Sequence, residues 1–386
     1  MRMTGYRKTH HVQHPPPFEC IALLLQGGGA LGAYQAGVYQ ALAEAGIHPN
    51  WVAGISIGAV NAALIAGNPP DKRVESLRKF WEQVTADIPV GWASEFLKGD
   101  WSRGLMSRMS AARVTMQGAP GFFAPRLPAP WVYPTGALEA TSFYDTAKLR
   151  RTLERLVDFD RINSAGTRFS VGAVNVRTGN FAYFDTTTHR IRPEHVMASG
   201  ALPPGFPAVE IEGEFYWDGG LVSNTPLQWM MDSLPRQDTL AFQVDLWNAR
   251  GNFPGNLAEV ETRRKEIQYS SRTRASTDHF KYAQRVRNTV AALLDDLPDN
   301  MKDHPAVELL RPVADRKTYN IVHLIYRARS YEGNTKDYEF SRLSMETHWR
   351  AGYQDTTRTL RQPRILERPT NQEGVAVFDL PCDGRE

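Results

Sequence analysis

The chain has 386 residues, with 45 Lys+Arg against 42 Asp+Glu and a formal net charge of +3. That balance excludes a dedicated nucleic-acid binder and an acidic disordered tail. With 42% hydrophobic and 23% charged residues the composition is globular and long enough for one large domain or two. Cys20 and Cys382 lie at opposite ends, which excludes a disulfide framework and a cysteine-based zinc site and fits a reducing, cytoplasmic compartment.

Residues 1–18 are polar, end in three consecutive prolines and lack the apolar stretch of a signal peptide, so they read as a loose tail. The run Ile21 to Leu25 has strand length and is closed by Gly27-Gly28-Gly29 and Gly32, which predicts a buried strand entering a glycine loop. A helix is expected over Ala33–Ala45, ended by Gly46, then a strand over Trp51–Ile55 that turns at Ser56 into a helix over Ala59–Ala66. Strand, helix, strand, helix implies a parallel sheet with right-handed crossovers.

A charged helix carrying Val74, Leu77, Phe80 and Trp81 follows, and the pattern then dissolves over 88–136 into an insertion rich in aromatics and proline. So long an irregular segment suits either a lid that shapes an acyl pocket or a packed insertion. Asp145 is expected to cap a helix through Leu149, Leu153 and Leu156. Beyond it, strands are expected over Phe169–Val176 and 181–184, and a second hairpin over 208–211 and 214–217, ending at Asp218-Gly219-Gly220. Thr225-Pro226 opens another helix, with proline at its first position. Strands over Leu240–Trp247 and Ile321–Tyr326 flank a basic region, 261–290, in which eight Lys/Arg face three Asp/Glu. The spacing of Ala283, Val286, Val290 and Leu293 there predicts a helix packed by that stripe, with a membrane-surface helix as the alternative.

Gly54-Ile55-Ser56-Ile57-Gly58 is a GxSxG pentapeptide, expected by chance only about 0.1 times in a chain of this length. A strand before it and a helix after it are what a nucleophile elbow requires, with Ser56 projected at the helix N-terminus. Two adjacent strand-loop-helix units place the glycine loop beside Ser56 at one sheet edge, where converging N–H groups suit an oxyanion hole. Gly27, Gly29 and Gly32 also satisfy the dinucleotide pattern GxGxxG, but the second strand ends with no carboxylate for a ribose. A serine needs a base, and none of His189, His195, His279, His304, His323 or His348 lies in a recognisable catalytic frame.

Together, Gly27-Gly28-Gly29-Ala30-Leu31-Gly32, the GxSxG pentapeptide and Asp218-Gly219-Gly220 resemble the patatin-like phospholipase family. Ala198-Ser199-Gly200-Ala201-Leu202-Pro203 and Asn224-Thr225-Pro226 resemble it too. The resemblance implies a three-layer α/β fold with a mainly parallel central sheet and helices on both faces. It implies a Ser56–Asp218 dyad, with Ser56 as nucleophile and Asp218 as general base, and an oxyanion hole from Gly27, Gly28 and Gly29. The implied activity is acyl-ester hydrolysis of phospholipase A or lysophospholipase type through an acyl-enzyme, with acylglycerols or hydroxyalkanoate oligomers as other ester substrates.

A non-catalytic lipid-binding or scaffold protein on the same fold is the rival reading. No metal or other cofactor is implied. The partner is a lipid or other hydrophobic ester, with contact at the inner membrane left open. The catalytic region is expected over 19–250 and a helical C-terminal extension with an added strand over 251–386. Lys336 to Tyr353 resembles a C-terminal domain of bacterial relatives, in which Ser341, Arg342 and His348 read as structural.

Overall fold

The computed structural model describes residues 10–12, 14–85, 100–164, 166–270, 273–328 and 332–379. In chain order the elements are β1 (Cys20–Leu25), α1 (Ala33–Ala45), β2 (Trp51–Gly54), α2 (Ile57–Ala66), α3 (Arg73–Val84), α4 (Asp100–Gln117), and the short pair β3 (Ala124–Pro125) and β4 (Tyr144–Asp145). There follow α5 (Ala147–Leu156), α6 (Phe159–Ser164), β5 (Arg168–Asn175), β6 (Phe181–Asp185), α7 (Pro193–Ser199), β7 (Val209–Ile211), β8 (Glu214–Asp218) and α8 (Leu227–Asp232). The chain continues through β9 (Thr239–Asp245), α9 (Leu257–Tyr269), α10 (Thr273–Asp295), α11 (Pro305–Leu310), β10 (Tyr319–Ile325), α12 (Arg342–Thr359) and β11 (Val375–Asp379).

The described strands form a nine-stranded sheet in the order β11-β10-β9-β1-β2-β5-β8-β7, with β6 paired to β5. From β11 to β5 every neighbour is parallel, while β6, β7 and β8 run antiparallel to their partners. β1 lies inside the sheet with helices on either side, which is why it is one apolar run. Leu23 and Leu25 face the core built with α1, α2 and α3, whereas Ala22 and Leu24 face Met230, Met231 and Phe280 of α8 and α10.

One relation of register sets the site. Val171 of β5 pairs with Gly54 of β2 and Phe184 of β6, while Ala173 pairs with Ala182 of β6 and Asp218 of β8. Because β6 fills one edge of β5, β2 and β8 must share the other edge, end to end. Their C-terminal ends meet across Val171–Ala173, so the chain leaving β2 and the last residue of β8 converge.

The C-terminal extension is built into the same body. β10 and β11 lengthen the sheet in parallel beyond β9, and α12 packs along α1. There a Cβ on Gly37 would stand 1.9 Å from the Trp349 carbonyl oxygen and one on Gly352 would stand 2.0 Å from that of Tyr34, so two glycines let the helices touch. Trp349 Nε1 donates to Gln40 Oε1 at 2.6 Å. Ser341 caps α12 by accepting the Ser344 N–H, Arg342 reaches Thr85 Oγ1 at 2.9 Å, and His348 faces Glu332 at 3.4 Å. These contacts give all three residues structural places.

Several sequence expectations need correction. The extension adds two strands, not one, because β11 carries only five residues and follows a polar loop. Part of the insertion is regular: α4 occupies 100–117, and its apolar residues are scattered, with Met109 and Met116 exposed. Residues 88–99 lie outside the described residues. Phe122 and Phe123 are core residues, in ring contact with Phe206 and Phe340.

On α10 the expected stripe is only partly packed: Ala283 and Val290 are half-buried, while Val286 and Leu293 are exposed. Thr277, Phe280, Gln284 and Ala291 are buried instead. Thr146, not Asp145, holds the cap position of α5, although Asp145 Oδ1 still accepts the Ala147 N–H at 2.8 Å. Pro226 sits at the cap of α8, one place earlier than expected.

Candidate active site

Ser56 leaves β2 with φ 55° and ψ −124°, a left-handed conformation that a residue bearing a side chain adopts at a cost of about 1–3 kcal/mol. The turn is possible because its flanks are bare. A Cβ on Gly54 would lie 2.2 Å from the Gly58 carbonyl oxygen, and one on Gly58 would lie 2.3 Å from that of Leu25. The strain is held from the C-terminal end of α7 and the residues just beyond it. Ser199 accepts the Ser56 N–H at both its carbonyl oxygen (3.1 Å) and its hydroxyl (3.0 Å), and two residues on Ala201 O accepts the Asp218 N–H (3.0 Å).

The convergence of β2 and β8 brings the Ser56 side chain beside the carboxylate of Asp218, whose ionised form it favours. Asp218 is 2% exposed. Burial, partly offset by the hydrogen bonds from Ser56 and from the Gly220 N–H (2.7 Å), pushes its carboxyl up to about 7. A buried carboxylate raised toward neutrality beside a serine hydroxyl is suited to accept its proton.

The glycine loop is clamped from below. Asn224 donates through Nδ2 to Gly27 O (3.0 Å) and Tyr269 O (2.9 Å), and its Oδ1 accepts the Gly27 N–H (3.2 Å). Trp247 Nε1 adds a second donor to Gly27 O at 2.9 Å. Gln26 works beside it, its Oε1 accepting the N–H groups of Leu246 (2.6 Å) and Trp247 (3.0 Å). With the Gly27 carbonyl held from one side, the trans peptide aims the Gly28 N–H the opposite way.

The Gly27 N–H is thus engaged by Asn224, which narrows the expected trio of donors. Among the described residues the N–H groups of Gly28, Gly29 and Ile57 have no acceptor. Ile57, the residue after the serine, escaped the sequence reading, although the nucleophile-elbow geometry itself points to that N–H. Likewise the sequence carried Ser199 and Asn224 only inside stretches of resemblance, with no role attached.

The histidines are placed elsewhere. His195 caps α7 by taking the Arg192 N–H on Nδ1 at 2.9 Å, and burial pushes it down to about 4. His323 and His348 lie against Asp245 and Glu332. Among the described residues no cluster of three or more His, Cys, Asp and Glu could hold a metal ion.

The sequence model of the patatin-like phospholipase family matches residues 23–230, more than half of the chain and all of the site just described. The chain belongs to the patatin-like phospholipase family. A second family model, described as patatin phospholipase, matches residues 267–372, so α10, β10 and α12 of this patatin-like chain also have counterparts.

Curated relatives match over short stretches only. Patatin-like phospholipase domain-containing protein 7 of Rattus norvegicus is 43% identical over 69 residues, covering 18% of this chain and 5% of its own length. The patatin-like phospholipase domain-containing protein ZK370.4 of Caenorhabditis elegans is 46% identical over 61 residues, covering 16% of this chain and 4% of its own. Among solved structures, VipD from Legionella pneumophila superposes over 89% of this chain and 67% of its own, with a TM-score of 0.40 and 15% identity.

Proposed function

We propose that this patatin-like protein hydrolyses acyl esters of lipids, of the phospholipase A or lysophospholipase kind, through Ser56 and Asp218. The observation that carries the reading is the convergence of β2 and β8, which sets the strained Ser56 turn beside the buried carboxylate of Asp218. Asp218 takes the hydroxyl proton as Ser56 Oγ attacks the ester carbonyl. The N–H groups of Gly28, Gly29 and Ile57 receive the oxyanion, and the alcohol leaves with the proton. Asp218 then takes a proton from water, which attacks the acyl-enzyme and frees the fatty acid.

Exposed Leu221 and Val222, just beyond Asp218-Gly219-Gly220, give the approach to the carboxylate an apolar border that suits a hydrophobic ester. No helix among the described residues is long and apolar enough to cross a membrane, so this reading has the site meeting lipid from one side.

The test is turnover of a short p-nitrophenyl ester and of phospholipid vesicles by wild type, Ser56→Ala and Asp218→Asn, with fluorophosphonate labelling in parallel. Labelling and turnover in the wild type, lost in both variants, would support the dyad. A folded wild type that neither labels nor turns over either substrate would leave a lipid-binding protein.

A further inference from the structure

The glycine loop is touched from far along the chain. The carbonyl oxygen of Asp337 accepts the Ala30 N–H at 2.8 Å. It fits there because Gly29, with φ 54°, has no side chain: a Cβ would lie 2.0 Å from that oxygen. Asp337 is itself fixed by α9. Lys265 Nζ lies 2.7 and 2.9 Å from the two carboxylate oxygens of Asp337 and donates to the Asn334 carbonyl at 3.0 Å.

The next residue on each side makes the mirror pairing. Glu266 Oε1 meets Lys336 Nζ at 2.7 Å, and the Lys336 ammonium stands 5.3 Å from the centre of the Trp247 ring, the ring whose Nε1 holds Gly27 O. At the C-terminal end of the same helix the Tyr269 carbonyl receives Gln26 Nε2 (3.0 Å) and Asn224 Nδ2 (2.9 Å). Two adjacent residues of α9 therefore grip two adjacent residues of the C-terminal segment with opposite charge order; Asp337 bonds the glycine loop at Ala30, and the rest of the grip reaches it through Trp247 and Asn224, both of which donate to Gly27 O.

We propose that the crossed ion pairs Lys265–Asp337 and Glu266–Lys336 form a positioning clasp that holds the Gly28 and Gly29 N–H groups in the orientation that receives an oxyanion. The proposal rests on the hydrolase reading above. Oxyanion donors work because they are oriented before charge develops, and the Ala30–Asp337 bond fixes the turn that carries them. The Lys265–Asp337 pair is partly exposed and adds little to global stability, so its worth lies in geometry, whereas Lys336 is buried and its pair with Glu266 also supports the fold. Lys265, Glu266, Lys336 and Asp337 are positioning residues acting through the loop.

The test compares wild type, Lys265→Met, Asp337→Asn and the charge-swapped Lys265→Glu/Asp337→Lys, with Arg264→Met as the neighbouring control. Kinetics on a short p-nitrophenyl ester are measured beside hydrogen exchange at the Ala30 amide. The single variants are expected to lose about 10-fold in kcat, less than the 10²–10³ of an oxyanion donor removed outright. KM should stay within about two-fold, Ala30 exchange should quicken, and the swapped pair should recover most of both.

Unchanged kcat and unchanged exchange would overturn the clasp. So would a parallel loss of kcat, KM and melting temperature that the swap does not rescue. If the wild type shows no Ser56-dependent turnover, the hydrolase reading fails by itself. Exchange at Ala30 then still decides whether the ion pairs hold the loop.

Discussion

Ser199 receives the Ser56 backbone N–H at two oxygens, its carbonyl and its own hydroxyl, 3.1 and 3.0 Å away. Ser199→Ala removes one acceptor and keeps the other, so a loss of about 0.5–1.5 kcal/mol in stability is expected, with kcat falling a few-fold as the elbow loosens. Chemical denaturation and steady-state kinetics check both. An unchanged kcat would mean that the main-chain bond alone holds the turn.

Ser56 carries its strain for the sake of its hydroxyl. Ser56→Gly removes both, so turnover should vanish while the melting temperature rises by about 1–4 °C. Calorimetry on this variant, compared with Ser56→Ala, separates the backbone contribution from the side chain. A Ser56→Gly protein less stable than wild type would contradict a strained elbow.

The acid limb of activity should report Asp218. Its carboxyl must be ionised to take a proton, so kcat/KM should climb roughly tenfold per pH unit below about 7 and level off above it. A profile flat down to pH 5 would remove Asp218 as the base.

The same carboxyl links stability to pH. Its pKa is raised by folding, so the folded state holds the proton more tightly than the unfolded chain does. Its stabilising contribution is complete below the unfolded value near 4 and is lost as pH rises through about 7. Asp218→Asn escapes that loss. It should match the wild type near pH 4 and exceed it at pH 8 by on the order of 4 kcal/mol, at about 1.4 kcal/mol per pKa unit. Urea titrations at the two pH values make the comparison.

Gly27→Ala tests the packing between loop and elbow. The added Cβ would stand 2.5 Å from Asn224 Oδ1 and 2.9 Å from Ser56 Cβ, so the clamp and the nucleophile must both shift. A fall of about 100-fold in kcat with a folded core is expected. Near- and far-ultraviolet circular dichroism establish folding, and fluorophosphonate labelling rate reports Ser56.

The part of the fold around the glycine loop was legible because its signals were local: β1 and α1 follow from an apolar run, a glycine loop and a helical period that ends at Gly46. The elbow could be read for the same reason, since Gly54 and Gly58 are chemical requirements of the turn. What stayed hidden depended on contacts distant in sequence. The role of Ser199 exists only once α7 packs against α2 and β5, and the buried face of α10 is set by its neighbours, leaving Val286 and Leu293 outside. Asp337 could not be read at all, because it acts through its main-chain carbonyl, which no side-chain pattern encodes.

The place of β1 between β2 and β9 has a consequence for synthesis on the ribosome. β2 is translated soon after β1, but the partner for the other edge is residues 239–245, so the middle of the sheet stays open while most of the catalytic region emerges. Such an edge is a template for aggregation, and nascent chains of this protein should depend on chaperones that shield it. Ser56 is made early, Asp218 later and the Asp337 contact later still. On the proposed reading, the site is therefore assembled only once residues as far as Asp337 have emerged and folded back onto the glycine loop.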